Sequence, residues 1–255
     1  MPLVITDAVV LHAFDYLDSS RILRLATQEN GVLSVLARGA RRPRNKFGSA
    51  IDLFVQGIAH VQTRPGRDLQ TLVNFDVTRA RALLSFDLDR FSAASAFAEL
   101  ALRVAQDESH HALFDVVTAA LDGIAEAPPG QVLATGVGGC WRLIAELGFS
   151  PVVDQCCVCQ AQVAPDDTLP FSYAGGGVVC ARCSRSVTLD RHLPASARDA
   201  LRDWLAGTTP PPDITTLREG RAHQRLLREF LVHHVAEDRD LRAFHSWESG
   251  ALLDA

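Results

Sequence analysis

The chain has 255 residues, 47% of them hydrophobic, which is enough for two or three compact units with real cores and excludes a disordered protein. No run of 18 apolar residues occurs, so no membrane span is expected, and MPLVITDAVVLHAF at the amino terminus has neither the basic start nor the cleavage site of a secretory signal. The formal net charge of −5 is on its face wrong for a nucleic-acid binder, but residues 38–67 hold seven basic groups against Asp52 alone.

Residues 3–17 are rich in β-branched and apolar side chains, and residues 21–27 and 31–38 alternate apolar with polar, the pattern of half-buried strands. Asp18-Ser19-Ser20 and Asn30-Gly31 supply the turns between them. Residues 53–63 and 69–77 read as two more strands around the turn Pro65-Gly66-Arg67-Asp68. Five short strands with a loop or short helix after the third is the order of an OB-fold barrel. From about residue 80 the period becomes helical, over 90–107, over 109–126 from a capping Ser109, and over 131–147 up to Gly148. Residues 194–206 and 218–236 are helical again, on either side of the break at Pro210-Pro211-Pro212, and the last helix is expected to close on the earlier ones. The fold class is therefore multi-domain α+β. Its expected parts are a barrel over 1–79, a helical domain over 80–150 and 187–255, and an insert over 151–186.

The insert carries the sharpest signal: Cys156-x2-Cys159 and, after twenty residues, Cys180-x2-Cys183. Each pair places two thiolates on one tight turn, and two such turns supply a tetrahedron of sulfurs suited to Zn²⁺. Four thiols leave no open position, so the metal is structural and contributes much of the folding energy of so short a segment. Redox or buried cysteines and an iron–sulfur cluster are the alternatives. Cys157 is read as a bystander to the ligand set and Cys140, beside Trp141, as a core residue. With only six cysteines, four of them so paired, the pattern fits a reducing compartment, and the expected location is the cytoplasm.

The second signal is Arg38-Gly-Ala-Arg41-Arg42-Pro-Arg44-Asn-Lys46, five basic residues in nine positions at the end of the third strand. An irregular, mobile segment of this kind can follow a phosphate backbone, and Arg64 and Arg67 on a later hairpin extend the patch. Phe47 and Phe54 are candidates for base stacking, although core packing is the commoner role for phenylalanine. His110-His111 and His233-His234 are adjacent pairs that diverge on a helix, which suits surface or capping roles better than a metal. Gly136-x-Gly138-Gly139 lacks the Lys-Ser/Thr of a phosphate loop, and no hydrolase or deaminase signature occurs, so a non-enzymatic protein is expected.

Several stretches in this order resemble the RecO family of bacterial recombination-repair mediators. They are Gly31–Arg42, Leu147-Gly148-Phe149-Ser150-Pro151, Cys156 to Cys159, Phe171-Ser172 with Gly175-Gly176-Gly177, Cys180 to Cys183, and Leu227–His234. The resemblance spans nearly the whole chain. It implies a protein of the RecFOR pathway that binds single- and double-stranded DNA, anneals complementary strands and joins RecR in helping RecA onto DNA coated with SSB. It also implies DNA contact through the barrel, with Arg38, Arg41, Arg42, Arg44, Lys46, Arg64 and Arg67 as candidates, and SSB-tail docking on the helical domain at residues no local motif marks. RecF is a further partner it suggests, and a nucleoid-associated place in the cytoplasm. Two departures stand out. The family often has glycine after its first knuckle, where this chain has Gln160, and the region after residue 80 is acidic, so a DNA path across it depends on local clusters such as Arg79 and Arg81. An OB-fold RNA-binding adaptor with a structural zinc ribbon is the main alternative, ahead of an enzyme of unrecognised type and a protein-only scaffold.

Overall fold

In the computed structural model, which describes residues 2–104, 111–210, 216–235 and 241–250, the five expected strands close into one barrel. They are β1 (Leu3–Tyr16), β2 (Ser20–Thr27), β3 (Gly31–Ala37), β4 (Gln56–Gln62) and β5 (Leu69–Arg79), in spatial order β1-β2-β3-β5-β4. All pairings are antiparallel except the closure, where Ser34, Val35 and Leu36 of β3 run parallel to Leu69, Gln70 and Thr71 of β5. This is the strand order of an OB-fold. Ala8, Val10, Leu23, Leu25, Val35 and Ala59 fill the interior. The short 3-10 helix Gly48–Ile51 plugs one end with Ile51 and the preceding Phe47.

The fourth strand starts three residues later than its hydrophobic pattern suggests, and the reason is Phe54. It has φ +67°, a conformation that a bulky residue rarely adopts, and ends the loop before β4. The backbone is pinned there: Phe54 N–H donates to Val10 at 2.7 Å, Val10 N–H to Val55 at 3.0 Å, and the Arg81 guanidinium to the Phe54 carbonyl at 3.0 Å. Neither Phe47 nor Phe54 is available to a nucleotide base, because both rings are buried in the barrel unit.

By packing, the chain forms two units, Met1–Glu126 and Ala127–Ala255. The first adds α1 (Leu83–Phe86), α2 (Leu88–Val104) and α3 (His111–Glu126) to the barrel, with α2 against β1 and α3 against β2. Arg81 ties them together: besides Phe54 it donates to Gln56 Oε1 at 2.8 Å and to Asp122 of α3 at 2.5 Å. Arg79 pairs with Asp122 and Glu126. Arg79 and Arg81 are therefore not free charges for a DNA path. Arg81 is a buried structural cation, and the half-exposed Arg79 shares Asp122 with it and pairs with Glu126. The expected cap Ser109, His110 and Pro211-Pro212 lie outside the described residues.

The second unit holds α4 (Val132–Glu146), a three-stranded sheet of β6 (Leu169–Ser172), β7 (Gly177–Val178) and β8 (Arg191–Leu193), and then α5 (Ala195–Leu205), α6 (Leu217–His234) and α7 (Arg242–Ser249). The glycine run in α4 serves packing, since a Cβ on Gly138 would sit 2.3 Å from the Trp204 ring on α5. Trp141 of α4 packs edge-on against Phe230 of α6, ring centroids 5.1 Å apart, and Cys140 is fully buried beside it. A capping box of Thr216 and Glu219 starts α6. The short α7 was not legible beforehand; Arg221 holds it by donating to the Trp247 and Glu248 carbonyls at 3.2 and 2.8 Å.

His223 on α6 is 4% exposed against Trp204, and its Nδ1 has no protein partner. Burial, reinforced by Arg191 and opposed by Glu219, lowers its pKa from 6.5 to about 4. The folded protein thus binds this proton less well than the unfolded chain, so the neutral ring's contribution to stability is intact above pH 6.5 and is lost as pH falls toward 4. The unfolding free energy from urea titrations across this window should fall on acidification, by up to about 3 kcal/mol from this group. In His223→Gln the fall should be visibly shallower.

Candidate nucleic-acid interface and metal centre

The basic candidates divide into three situations. Arg38, Arg64 and Arg67 line one open groove of about 420 Å³, together with Leu36, Asp68 and Gln70. The barrel closure creates it: the parallel pairing sets the end of β3 beside the β4–β5 turn. That turn is itself well tied, with Gln70 Oε1 accepting from the Arg64 N–H at 2.7 Å. Arg38 and Arg67 are exposed and make no ion pair among the described residues.

Arg42 and Arg44 are exposed in the stretch after β3 and likewise make no ion pair among the described residues. This segment, expected to be irregular, is a run of hydrogen-bonded turns. Arg42 N–H donates to Gly39, Asn45 N–H to Arg42, and Asn45 Oδ1 accepts from the N–H groups of Phe47 and Gly48 at 2.9 and 2.7 Å. Gly39 has φ +72°, which glycine adopts without strain.

Arg41 and Lys46 are committed locally. Arg41 pairs with Asp15 at 3.2 Å and donates to the Leu17 carbonyl, while Lys46 donates to the Val73 carbonyl and lies 4.9 Å from the Phe47 ring centre. The Arg41 pair is solvent-exposed, so it is worth well under about 1 kcal/mol and a phosphate can displace it.

One group of exposed rings escaped the sequence reading. His12, Phe14 and Tyr16 lie on one face of β1, and Phe14 and Tyr16 are 44% and 39% exposed. Burial and the nearby Arg24 guanidinium hold His12 below its ordinary pKa, with Glu99 pulling the other way.

In the second unit the sulfurs of Cys156, Cys159, Cys180 and Cys183 all lie within 4.8 Å of one another. Cys159 and Cys180 are 3.8 Å apart, close to the roughly 3.8 Å edge of a tetrahedron with Zn–S bonds of about 2.3 Å. The surroundings suit a metal thiolate. Cys180 N–H points at Cys156 Sγ at 3.4 Å, and Cys156 N–H and carbonyl close the first turn onto Ala161 and Gln160 at 2.8 and 2.9 Å. The Ala161 N–H, then the Arg182 guanidinium, lower the pKa of Cys159. Cys156 is lowered too, since N–H groups of Cys180, Cys159 and Val158 outweigh its burial. Cys183 goes the other way, raised first by its hydrogen bond to Cys159 and then by burial. The donor set and its spacing fit a tetrahedral metal ion.

Cys157 stands outside this group of four sulfurs. Its N–H donates to Val178 at 2.9 Å and its sulfur would touch a Cβ on Gly175 at 3.0 Å. The insert is anchored by two side chains that sequence alone did not single out in this role. Arg198 of α5, 1% exposed, donates to the carbonyls of Ala164, Pro165 and Asp167 at 3.0, 2.5 and 2.8 Å. His234 Nε2 bonds the Tyr173 carbonyl at 2.7 Å, and His233 stacks on the Tyr173 ring. The second histidine pair thus grips the insert.

Comparison with known proteins fits this architecture. Residues 1–81 match the family model described as Recombination protein O N terminal, and residues 85–243 match Recombination protein O C terminal. The chain is 34% identical over 252 residues to the DNA repair protein RecO of Anaeromyxobacter sp. (strain K), covering 97% of each chain. It is 31% identical over 238 residues to that of Synechococcus sp. (strain JA-2-3B'a(2-13)), covering 89% of this chain and 82% of the relative. The chain belongs to the RecO family.

Within that frame Gln160 is informative. It follows the first Cys-x2-Cys pair of this RecO-family chain with φ +59°, a left-handed conformation that favours glycine. Replacing Gln160 with Gly should relieve this strain and raise the stability of the metal-loaded protein by about 1 kcal/mol, read as an increase in Tm. An unchanged or lower Tm would show that the Gln160 side chain contributes more than its backbone strain costs.

Proposed function

We propose that this chain is a recombination mediator that binds single- and double-stranded DNA, anneals complementary strands and, with RecR, assists RecA onto DNA coated by SSB. The observation that carries the reading is the groove of Arg38, Arg64 and Arg67 at the closure of an OB-type barrel in a chain of the RecO family. In this reading residues 1–79 are the nucleic-acid-binding domain, and residues 80–150 with 187–255 are a helical domain that takes the SSB tail. Residues 151–186 are an insert closed by structural Zn²⁺ on Cys156, Cys159, Cys180 and Cys183. RecA and RecF are further partners, and the protein works in the cytoplasm on the nucleoid.

The mechanism is electrostatic. Arg38, Arg64 and Arg67 in the groove, with Arg41, Arg42, Arg44 and Lys46 beside it, neutralise phosphates and release their counterions. Two strands held this way repel one another less, which lowers the barrier to their pairing, and no base sequence has to be read. The sulfur cluster does no chemistry in this scheme. It fixes the fold of the insert, whose backbone Arg198 and His234 then hold.

If about five phosphates are contacted, affinity for a single strand should fall about a hundredfold between 50 and 200 mM salt. Arg38→Ala, Arg64→Ala and Arg67→Ala combined should reduce the slope of log affinity against log salt by about two. Arg41→Ala, Arg42→Ala and Arg44→Ala combined should also weaken binding. Mixing the protein with complementary strands precoated by SSB and following duplex formation by fluorescence tests the function itself. Annealing well above the protein-free rate is expected. No acceleration by folded, zinc-loaded protein would contradict it, and tighter binding to RNA than to DNA of the same sequence would favour an RNA adaptor.

A further inference from the structure

The outer face of the barrel carries an aromatic array that packing does not explain. Between Val10 and His12 the pairing of β1 with β2 shifts register, and Leu11 is left over as a bulge. Beyond the bulge Ala13 packs toward the core, so His12, Phe14 and Tyr16 all point outward. His12 and Phe14 are adjacent rings with centroids 5.8 Å apart. At the end of the same strand Leu17 is 75% exposed with φ +51°, a strained conformation for a leucine that gains little from burial. Three exposed rings and an exposed leucine within six residues contribute little to a folded barrel.

The rest of the face indicates what would lie on them. Register places Phe14 beside Ile22 of β2, Ile22 beside Leu36 of β3, and His12 beside Arg24. Leu36 also lines the groove that holds Arg38, Arg64 and Arg67. The aromatic column and the basic groove are thus two edges of one continuous surface, about 10 Å apart at the usual strand spacing. Residues two apart on a strand are about 6.8 Å apart, which leaves room for a base beside each ring. Flat apolar rings on one edge and cations on the other complement one kind of polymer, with unpaired bases on one side and phosphates on the other.

We infer that the outer face of β1, β2 and β3 is a base-stacking platform, on which Phe14 and Tyr16, with His12 beside them, hold unpaired bases of a single DNA strand whose phosphates lie along Arg38, Arg64 and Arg67. This rests on the DNA-binding reading above and adds to it that the protein distinguishes unpaired from paired DNA by stacking. Charge alone does not make that distinction, since a duplex carries phosphates as well.

The test measures the anisotropy of a labelled oligothymidine, an abasic strand of the same length and a duplex, at one salt concentration. Wild-type protein should bind the oligothymidine at least about tenfold more tightly than the abasic strand. Phe14→Ala and Tyr16→Ala should each weaken oligothymidine binding about tenfold and leave the abasic strand and the duplex unchanged. Arg38→Ala, Arg64→Ala and Arg67→Ala combined should weaken all three. Phe14→Trp keeps a ring in place, so it should retain affinity and add fluorescence quenching with oligothymidine but not with the abasic strand. Equal wild-type affinity for oligothymidine and abasic strand, or alanine variants that bind oligothymidine normally, would overturn the platform while leaving the electrostatic reading standing. A wild-type protein that binds none of the three would overturn both.

Discussion

Three residue pairs close the barrel, and the nucleic-acid face depends on them. Without the parallel pairing of Ser34–Leu36 with Leu69–Thr71, β3 and β5 would be open edges, a liability that closure removes. With it, the end of β3 lies beside the β4–β5 turn, so Arg38 meets Arg64 and Arg67 although more than twenty residues separate them in sequence. The same closure fixes which side of β3 faces the interior. Val35 and Ala37 turn inward, and Leu36 turns outward into the groove. Charge is therefore concentrated at one place on a chain whose net charge is negative, and a local field, not the sum, is what a phosphate meets.

The insert in the second unit solves a different problem. Around the cysteines its buried cluster is small, Val179 with Cys156 and Cys183. Four sulfurs placed to hold a metal ion would supply the missing cohesion. Arg198 then reaches four carbonyls of the insert, those of Val153, Ala164, Pro165 and Asp167, with one guanidinium, and His234 a fifth. An arginine buried against carbonyls meets the hydrogen-bonding needs of backbone that has no strand partner. The surrounding helices and the sulfur cluster are thus coupled through backbone contacts.

Much of this was legible in the sequence because local patterns carried it. Alternation set β2 and β3, Asn30-Gly31 set their turn with Gly31 at φ +61°, and the two Cys-x2-Cys pairs set the ligand cluster. What stayed hidden depended on long-range geometry. Residues 3–17 read as one apolar run, and the bulge at Leu11, which reverses inside and outside for the rest of β1, has no sequence signature. A one-residue slip moves every side chain to the opposite face, so the rings of β1 could not be assigned. Phe54 gave no sign of a left-handed backbone, since its conformation is imposed by Val10 and Arg81 from elsewhere in the chain. Arg79 and Arg81 looked like surface charge because Asp122 and Glu126, which engage them, lie some forty residues further on.

The central claim is that a DNA strand lies on the outer face of β1–β3 and in the groove between β3 and the β4–β5 turn. Hydrogen–deuterium exchange of the folded protein, with and without a saturating single strand, tests this most directly. The account predicts slowed exchange in peptides spanning residues 12–24, 34–42 and 62–71, with little change in residues 127–210. Protection confined to residues 127–210, with the barrel peptides unchanged, would contradict it.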